Sequence, residues 1–168
     1  MRLSGLIEVR GLLYRYGTGS ALVVDDLSFV VRPGQTLGIV GPTGSGKSTV
    51  LMLLLGLYRP IAGRVLYDDV SLEVLDPQAV RGSCGVVMQD SALFAGSLRS
   101  NITLNDPDAT DAHLHEAMRV AGLDTEVARL PLGIETRIAE GGLNLSGGQR
   151  QRVAIARALV SRPSILLL

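Results

Sequence analysis

Residues 41–49, G-P-T-G-S-G-K-S-T, set a lysine and a hydroxyl directly after a glycine-rich run: Gly41, four residues, then Gly46, Lys47 and Ser48. That spacing suits a chain that must converge several backbone N–H groups on phosphate oxygens, because glycine permits both the close approach and the unusual dihedrals required. Gly44 adds a third such position, among Pro42, Thr43 and Ser45. Lys47 can reach terminal phosphates as a point charge and Ser48 can offer its hydroxyl to Mg2+. The helix predicted from Thr49 onward aims its positive dipole end at the same place. This is the pattern of a nucleoside triphosphate site. A second glycine-rich stretch, L-S-G-G-Q at residues 145–149, runs into R-Q-R-V-A-I-A-R-A-L-V-S-R-P. Ser146 suits a helix N-cap, and Val153, Ile155, Ala156, Leu159 and Val160 give the helix a broad apolar face that ends at Pro163. One small domain therefore carries two candidate anion sites, each at a helix start.

Other residues have weaker chemical readings. Gln89 follows the apolar run C-G-V-V-M, at the carboxyl end of a predicted buried strand, where parallel sheets place ligands. Tyr16 ends an early strand before a glycine-containing loop; its ring can stack on a base, or it is an ordinary strand-end tyrosine. Asp68 and Asp69 read as a polar turn, since no other ligand candidates cluster with them locally. His113 and His115 are two apart and diverge on a helix, so they read as surface residues. Arg150, Arg152, Arg157 and Arg162 read as a solvated helix face.

The elements that must position these groups follow from pattern. Residues 6–16 and 27–32 read as strands, separated by a G-T-G-S loop and the pair Asp25 and Asp26, and together form an antiparallel flank. Arg32-Pro33-Gly34-Gln35 reads as a type II turn. Residues 36–40, T-L-G-I-V, read as a short buried parallel strand, and residues 49–57 as a buried helix that Gly56 and Pro60 terminate. Residues 63–67 and 84–88 read as further strands. From Ser91 the chain turns mostly helical, with Asp106-Pro107-Asp108 and Thr110-Asp111 as start signals and Gly122 as a stop.

Bulk properties narrow the function classes. The 168 residues suit one domain, and 46% apolar residues can build its core. Sixteen Lys and Arg balance sixteen Asp and Glu, a neutral chain that does not advertise nucleic acid. Cys84 alone can form no internal disulfide; in its apolar run it reads as a buried, reduced thiol, which fits a cytoplasmic setting. No signal peptide is visible, and the longest apolar run, residues 50–55, is far short of the about twenty residues a membrane span needs.

With these residues in hand, the chain resembles the nucleotide-binding domain of the ATP-binding cassette (ABC) family: L-S-G-G-Q matches the family's signature motif, and Gly41 to Thr49 its Walker A loop. The resemblance implies an α/β fold, with a P-loop NTPase (RecA-like), mostly parallel sheet core, an antiparallel β flank and an inserted helical subdomain. Residues 1–88 and 162–168 would form the ATPase core, and residues 89–161 the Q-loop and signature subdomain. It further implies that Tyr16 stacks on adenine, and that Gln89 touches Mg2+ and the attacking water. Ser146, Gly147, Gly148 and Gln149 would close over the ATP held by a second such domain, in a head-to-tail homodimer. Residues 91–102 and 136–142 resemble the exporter branch, with Glu140 at its acidic loop position and Ala139 where a glycine is usual. A transmembrane partner, fused or separate, at the cytoplasmic face of a membrane follows from that branch.

The sequence departs from the family at its end. Residues 164–168, S-I-L-L-L, resemble the start of the Walker B strand, and the aspartate and glutamate that the family places next have no counterpart. The chain is therefore expected to be an incomplete domain that hydrolyses ATP poorly by itself. A non-hydrolysing ATP-binding switch and a non-transport ABC ATPase remain the alternatives.

Overall fold

The computed structural model describes residues 3–89, 91–104, 106 and 108–168; Pro107 of the predicted helix start lies outside them. Backbone contacts divide the chain into two units, one running to Ser83 and the other Cys84–Leu168.

In the first unit, β1 (Ile7–Tyr14) and β2 (Val24–Val31) pair antiparallel, as their apolar alternation predicts. The alternation changes phase within β1: Ile7 and Val9 are buried, then Leu12 and Tyr14. A register shift between Val9 and Leu12 absorbs the extra residue, and such a bulge moves the following side chains to the opposite face. The pair Asp25 and Asp26, expected in a loop, lies inside β2 instead. A second register shift accommodates Asp26, whose φ is 48°. The type II turn forms as predicted, with Gly34 at φ 76° and the Gln35 N–H donating to Arg32 O at 2.9 Å.

Residues 36–40 differ from expectation. They pair with no strand among the described residues, and Leu37, Ile39 and Val40 are 47%, 39% and 92% exposed. Apolar composition favours extended backbone here, but a strand exists only where a neighbouring edge takes its N–H and C=O groups. The helix that follows, α1 (Lys47–Leu54), starts two residues before Thr49 and stops before the predicted Leu57. Gly56, at φ 66°, ends it: its N–H donates to Leu53 O at 3.1 Å and that of Leu57 to Met52 O at 2.9 Å, closing a Schellman turn.

Beyond it, β3 (Ala62–Tyr67) pairs antiparallel with β1, and with β4 (Val70–Ser71) through the two-residue turn Asp68-Asp69. Both turn residues have positive φ, 50° and 65°, the geometry that matches strand twist in tight hairpins and that aspartate tolerates. The polar-turn reading of this pair holds, with an added role. The Asp68 carboxylate accepts from the Ser4 hydroxyl, from Ser4 N–H at 2.7 Å and from Leu6 N–H at 3.3 Å, tying the N-terminal segment to the hairpin. Burial alone would raise the Asp68 pKa, but these bonds outweigh it and hold it below the ordinary value. A depressed carboxylate contributes stability above its unfolded pKa, near 3.9, and loses it as pH falls through the folded value. Asp68→Asn keeps a turn-compatible residue but removes the charge. It is expected to raise amide exchange at Ser4 and Leu6 about fivefold at pH 7, roughly 1 kcal/mol for a solvent-screened charged hydrogen bond, and to remove its acid dependence below about pH 4. NMR exchange rates across pH 3–7 would check this, and unchanged protection would refute the tie. The short α2 (Pro77–Gly82), capped by Asp76, completes the unit.

The second unit contains β5 (Cys84–Val86), β6 (Gly96–Ser97), α3 (Leu98–Thr103), α4 (Asp111–Val120), α5 (Asp124–Val127), β7 (Arg137–Ile138), α6 (Gly147–Val160) and β8 (Ile165–Leu167). The parallel pairing seen among the described residues is that of β5 with β8. Burial pushes the Cys84 thiol up to about 11, which agrees with an inert, buried cysteine. The helical character expected after Ser91 is present. Leu98, Ile102, Leu114, Met118, Val153 and Val160 form much of one apolar core. Thr110 caps α4 by accepting from His113 N–H at 3.2 Å, and Gly122, at φ 69°, stops it. His113 is half-buried and His115 exposed, in line with a surface reading; no group of three or more His, Cys, Asp or Glu able to hold a metal occurs among the described residues.

Candidate functional site

The glycine-rich loop at residues 41–49 belongs to the first unit. Gly46 is the N-cap of α1 with φ 89°, and a Cβ there would meet Val23 O at 2.6 Å, so close approach and left-handed backbone both demand glycine. No side chain caps α1 and its first turn holds no acidic residue. Its first N–H groups thus point, with the positive end of the helix dipole, toward the exposed segment 41–45. Lys47 reaches across that loop: Nζ donates to Gly41 O at 2.9 Å and Pro42 O at 2.8 Å. The loop is closed upon itself by Ser45 N–H donating to Pro42 O at 3.2 Å. The Ser48 hydroxyl is on an exposed residue of the first turn, and Thr49 is buried beneath.

Tyr16 is brought to this loop. Its hydroxyl and Thr49 Oγ1 are hydrogen-bonded at 2.7 Å, while the residue stays 62% exposed. Two further rings brace it edge-on, Tyr14 at 5.3 Å and Tyr58 at 5.8 Å between centroids, and those two stack on each other at 5.3 Å. An exposed aromatic ring fixed at its tip and flank is able to stack on a planar group.

Gln89 and the second glycine-rich loop belong to the second unit. Gln89 is exposed, three residues beyond β5; the adjoining Asp90 lies outside the described residues. Ser146 is the N-cap of α6 in a capping box: its Oγ accepts from Gln149 N–H at 3.2 Å, and Gln149 Oε1 accepts from Ser146 N–H at 2.8 Å. The Gln149 side chain thus serves the cap, and the Ser146 hydroxyl keeps its proton to donate outward. Gly147 and Gly148 are exposed.

The two stretches singled out beside Gln89 and before the second loop meet each other. β6 pairs antiparallel with β7; Gly141 N–H donates to Leu93 O at 2.9 Å and Ala95 N–H to Glu140 Oε2 at 3.2 Å. Asn144 braces the turn, accepting from Ala139 N–H and donating to Arg137 O, both at 2.9 Å. The arginines of α6 are not a solvated face. Arg150 donates to Leu145 O at 3.0 Å, Arg152 pairs with Glu126, and Arg157 is half-buried against Ala92 O and Asn101 O, both at 2.8 Å. Arg150 and Arg157 turn inward to backbone carbonyls of the 142–145 turn, of Ala92 and of α3 that need donors, and Arg152 to the Glu126 carboxylate. Sequence reasoning missed Asn101, 1% exposed. The signal was its place at helical spacing between Leu98 and Ile102, a polar group on an apolar face.

Comparison with known proteins agrees with this geometry. A family profile described as ABC transporter matches residues 24–168. The chain is 49% identical over 153 residues to the mycobactin import ATP-binding/permease protein IrtB of Mycolicibacterium thermoresistibile, covering 91% of this chain and 26% of that protein. It is 41% identical over 166 residues to the cyclolysin secretion/processing ATP-binding protein CyaB of Bordetella pertussis, covering 99% of this chain and 23% of that protein. Among solved structures, a bacterial Atm1-family ABC exporter with ATP bound superposes with a TM-score of 0.90 at 38% identity, over 96% of this chain and 28% of that one. The chain thus spans about a quarter of the length of the curated relatives it matches. Its fold is that of the α/β P-loop NTPase core with an antiparallel flank and helical subdomain.

Proposed function

Because this chain belongs to the ABC transporter family, we propose that it is the ATP-binding and ATP-hydrolysing domain of an exporter-type transporter. The observation that carries the proposal is the clasp of Lys47 on Gly41 O and Pro42 O at the uncapped start of α1, with Tyr16 anchored to Thr49 beside it. ATP brings four negative charges and a planar base. The loop amides from Gly41 to Thr49 and Lys47 suit the former, the Tyr16 ring the latter. Ser48 is an exposed oxygen donor that fits Mg2+, a hard cation that takes few protein ligands and completes its shell with phosphate and water, and Gln89, on the other unit, is an exposed oxygen donor of the same kind. The ion would neutralise charge on the phosphates.

In this reading, residues 1–88 and 162–168 are the ATPase core and residues 89–161 the helical subdomain. A second copy lies head to tail, with Ser146, Gly147 and Gly148 presenting the N-terminus of α6 to the ATP of its partner. Capping by Gln149 leaves the Ser146 hydroxyl proton to donate outward, which supports that role. A transmembrane partner, fused or separate, would hold the domain at the cytoplasmic face. No helix among the described residues is long and apolar enough to cross a membrane. The inward use of Arg150, Arg152 and Arg157 supports the absence of nucleic acid among its partners. Two relatives are named for opposite directions, import and secretion, so exporter-type here denotes the branch of the family and not the direction in which cargo moves.

Sedimentation velocity tests the reading: ATP with Mg2+ is expected to shift the protein from monomer to dimer, and ADP is not. Hydrolysis by residues 1–168 alone is proposed to be slow, about 10²- to 10⁴-fold below that of a domain with its general base, because no carboxylate in them matches that position. ATP that neither binds nor dimerises the protein would overturn the proposal.

A further inference from the structure

Arg157 lies eleven residues along α6 from Ser146, about 16 Å at the rise of a helix, and shares a face with Val153 and Val160. Its guanidinium bridges Ala92, in the loop before β6, and Asn101 of α3. Nε donates to Asn101 O at 2.8 Å, Nη1 to Ala92 O at 2.8 Å and Nη2 to Asn101 Oδ1 at 3.2 Å, while the cation stands 5.7 Å from the centre of the Phe94 ring. Asn101 continues the network: Oδ1 accepts from Phe94 N–H at 2.9 Å, and Nδ2 donates to Phe94 O at 2.8 Å and Ser97 O at 3.1 Å. Both backbone groups of Phe94 are therefore fixed by the buried amide, yet its ring is 53% exposed. A half-buried guanidinium and a buried amide carry a desolvation cost that an apolar pair would avoid, so core packing alone gives no reason for them. What they add is direction: six polar bonds, made by Arg157 of α6 and Asn101 of α3, hold residues 92–97 in register with those two helices.

We propose that Arg157 and Asn101 are positioning residues that lock residues 92–97 to α6, so that a displacement at the Ser146–Gly148 end of the helix is passed to the exposed Phe94 residue. The inference rests on the ATP-driven dimer proposed above. It assigns the coupling to a side-chain fork on the signature helix itself, acting on the loop backbone from behind.

Hydrogen exchange of the full-length protein carrying this chain, measured with ATP and with ADP, separates the possibilities. In the wild type, the ATP-minus-ADP difference is expected at residues 145–150 and at residues 92–101. In Arg157→Met the first difference should persist and the second fall about fivefold. Arg157→Lys, which keeps the charge but not the fork, should retain about half of the second difference, and it carries the test if the methionine variant does not fold. A merely structural arginine would raise exchange at 92–101 equally in both nucleotide states and leave the difference intact; that result overturns the inference. No ATP-dependent change at 145–150 in the wild type would instead remove the dimer reading on which it stands.

Discussion

In a domain completed with its general base, the setting for every turnover measurement below, Lys47→Ala is expected to raise the dissociation constant for ATP at least about 100-fold and to abolish turnover. Two effects add. The ammonium group supplies charge-assisted bonds to phosphate, each worth about 1.5–3 kcal/mol where water is partly excluded, and two of them account for the loss in affinity. The same Nζ holds Gly41 O and Pro42 O at 2.9 and 2.8 Å, so alanine also leaves the loop without the donor that gathers those carbonyls. The loop amides must then be ordered at the moment of binding, which subtracts further from affinity. Lys47→Arg separates the two effects. It keeps a cation, but a planar guanidinium does not fit the space from which a point charge reaches both carbonyls and the phosphates, so turnover should still fall by about tenfold or more. Titration with a fluorescent ATP analogue and a phosphate-release assay would measure both variants. An affinity for Lys47→Ala within about threefold of the wild type would remove the lysine from the phosphate site.

What could be read from the chain follows the range of the interaction concerned. The loop at 41–49 and the cap at Ser146 are local: the glycine dihedrals, the helix start and the capping partner Gln149 all fall within a few residues. Tyr16 was legible only as an exposed ring at a strand end. The bond to Thr49, thirty-three residues away, and the bracing by Tyr14 and Tyr58 decide its orientation, and no periodicity encodes them. Residues 36–40 show the converse. Their composition favours a strand, but pairing is a property of the neighbouring edge, and among the described residues none pairs with them. Arg157 failed for a third reason. A solvated arginine and an anchoring one look alike in sequence, and its partner Asn101 lies fifty-six residues earlier.

The glycine-rich loops at residues 41–49 and 145–149 also differ in how their helix ends are satisfied, and that difference gives the second large effect. The start of α1 is bare of side-chain caps, whereas α6 is closed by the Ser146–Gln149 box. Replacing Ser146 therefore touches α6 twice: it removes a cap worth about 1 kcal/mol, and it changes what the exposed Gly147-Gly148 edge presents. Ser146→Arg adds a long cation where the proposed dimer brings a second copy. It should leave ATP affinity within about threefold of the wild type, because it leaves residues 41–49, the proposed phosphate loop, unaltered, while ATP-dependent dimerisation is lost and turnover falls about 100-fold or more. Ser146→Ala removes the cap and the hydroxyl donor without the bulk. Dimerisation should survive in it, with turnover reduced about tenfold, on the scale of one lost phosphate donor. The pair of variants distinguishes a damaged helix from a blocked surface, since only the second affects dimerisation far more in arginine than in alanine. Turnover in Ser146→Arg equal to the wild type would mean that this loop does not face ATP across a dimer, and the function of its glycines would then have to lie within its own unit.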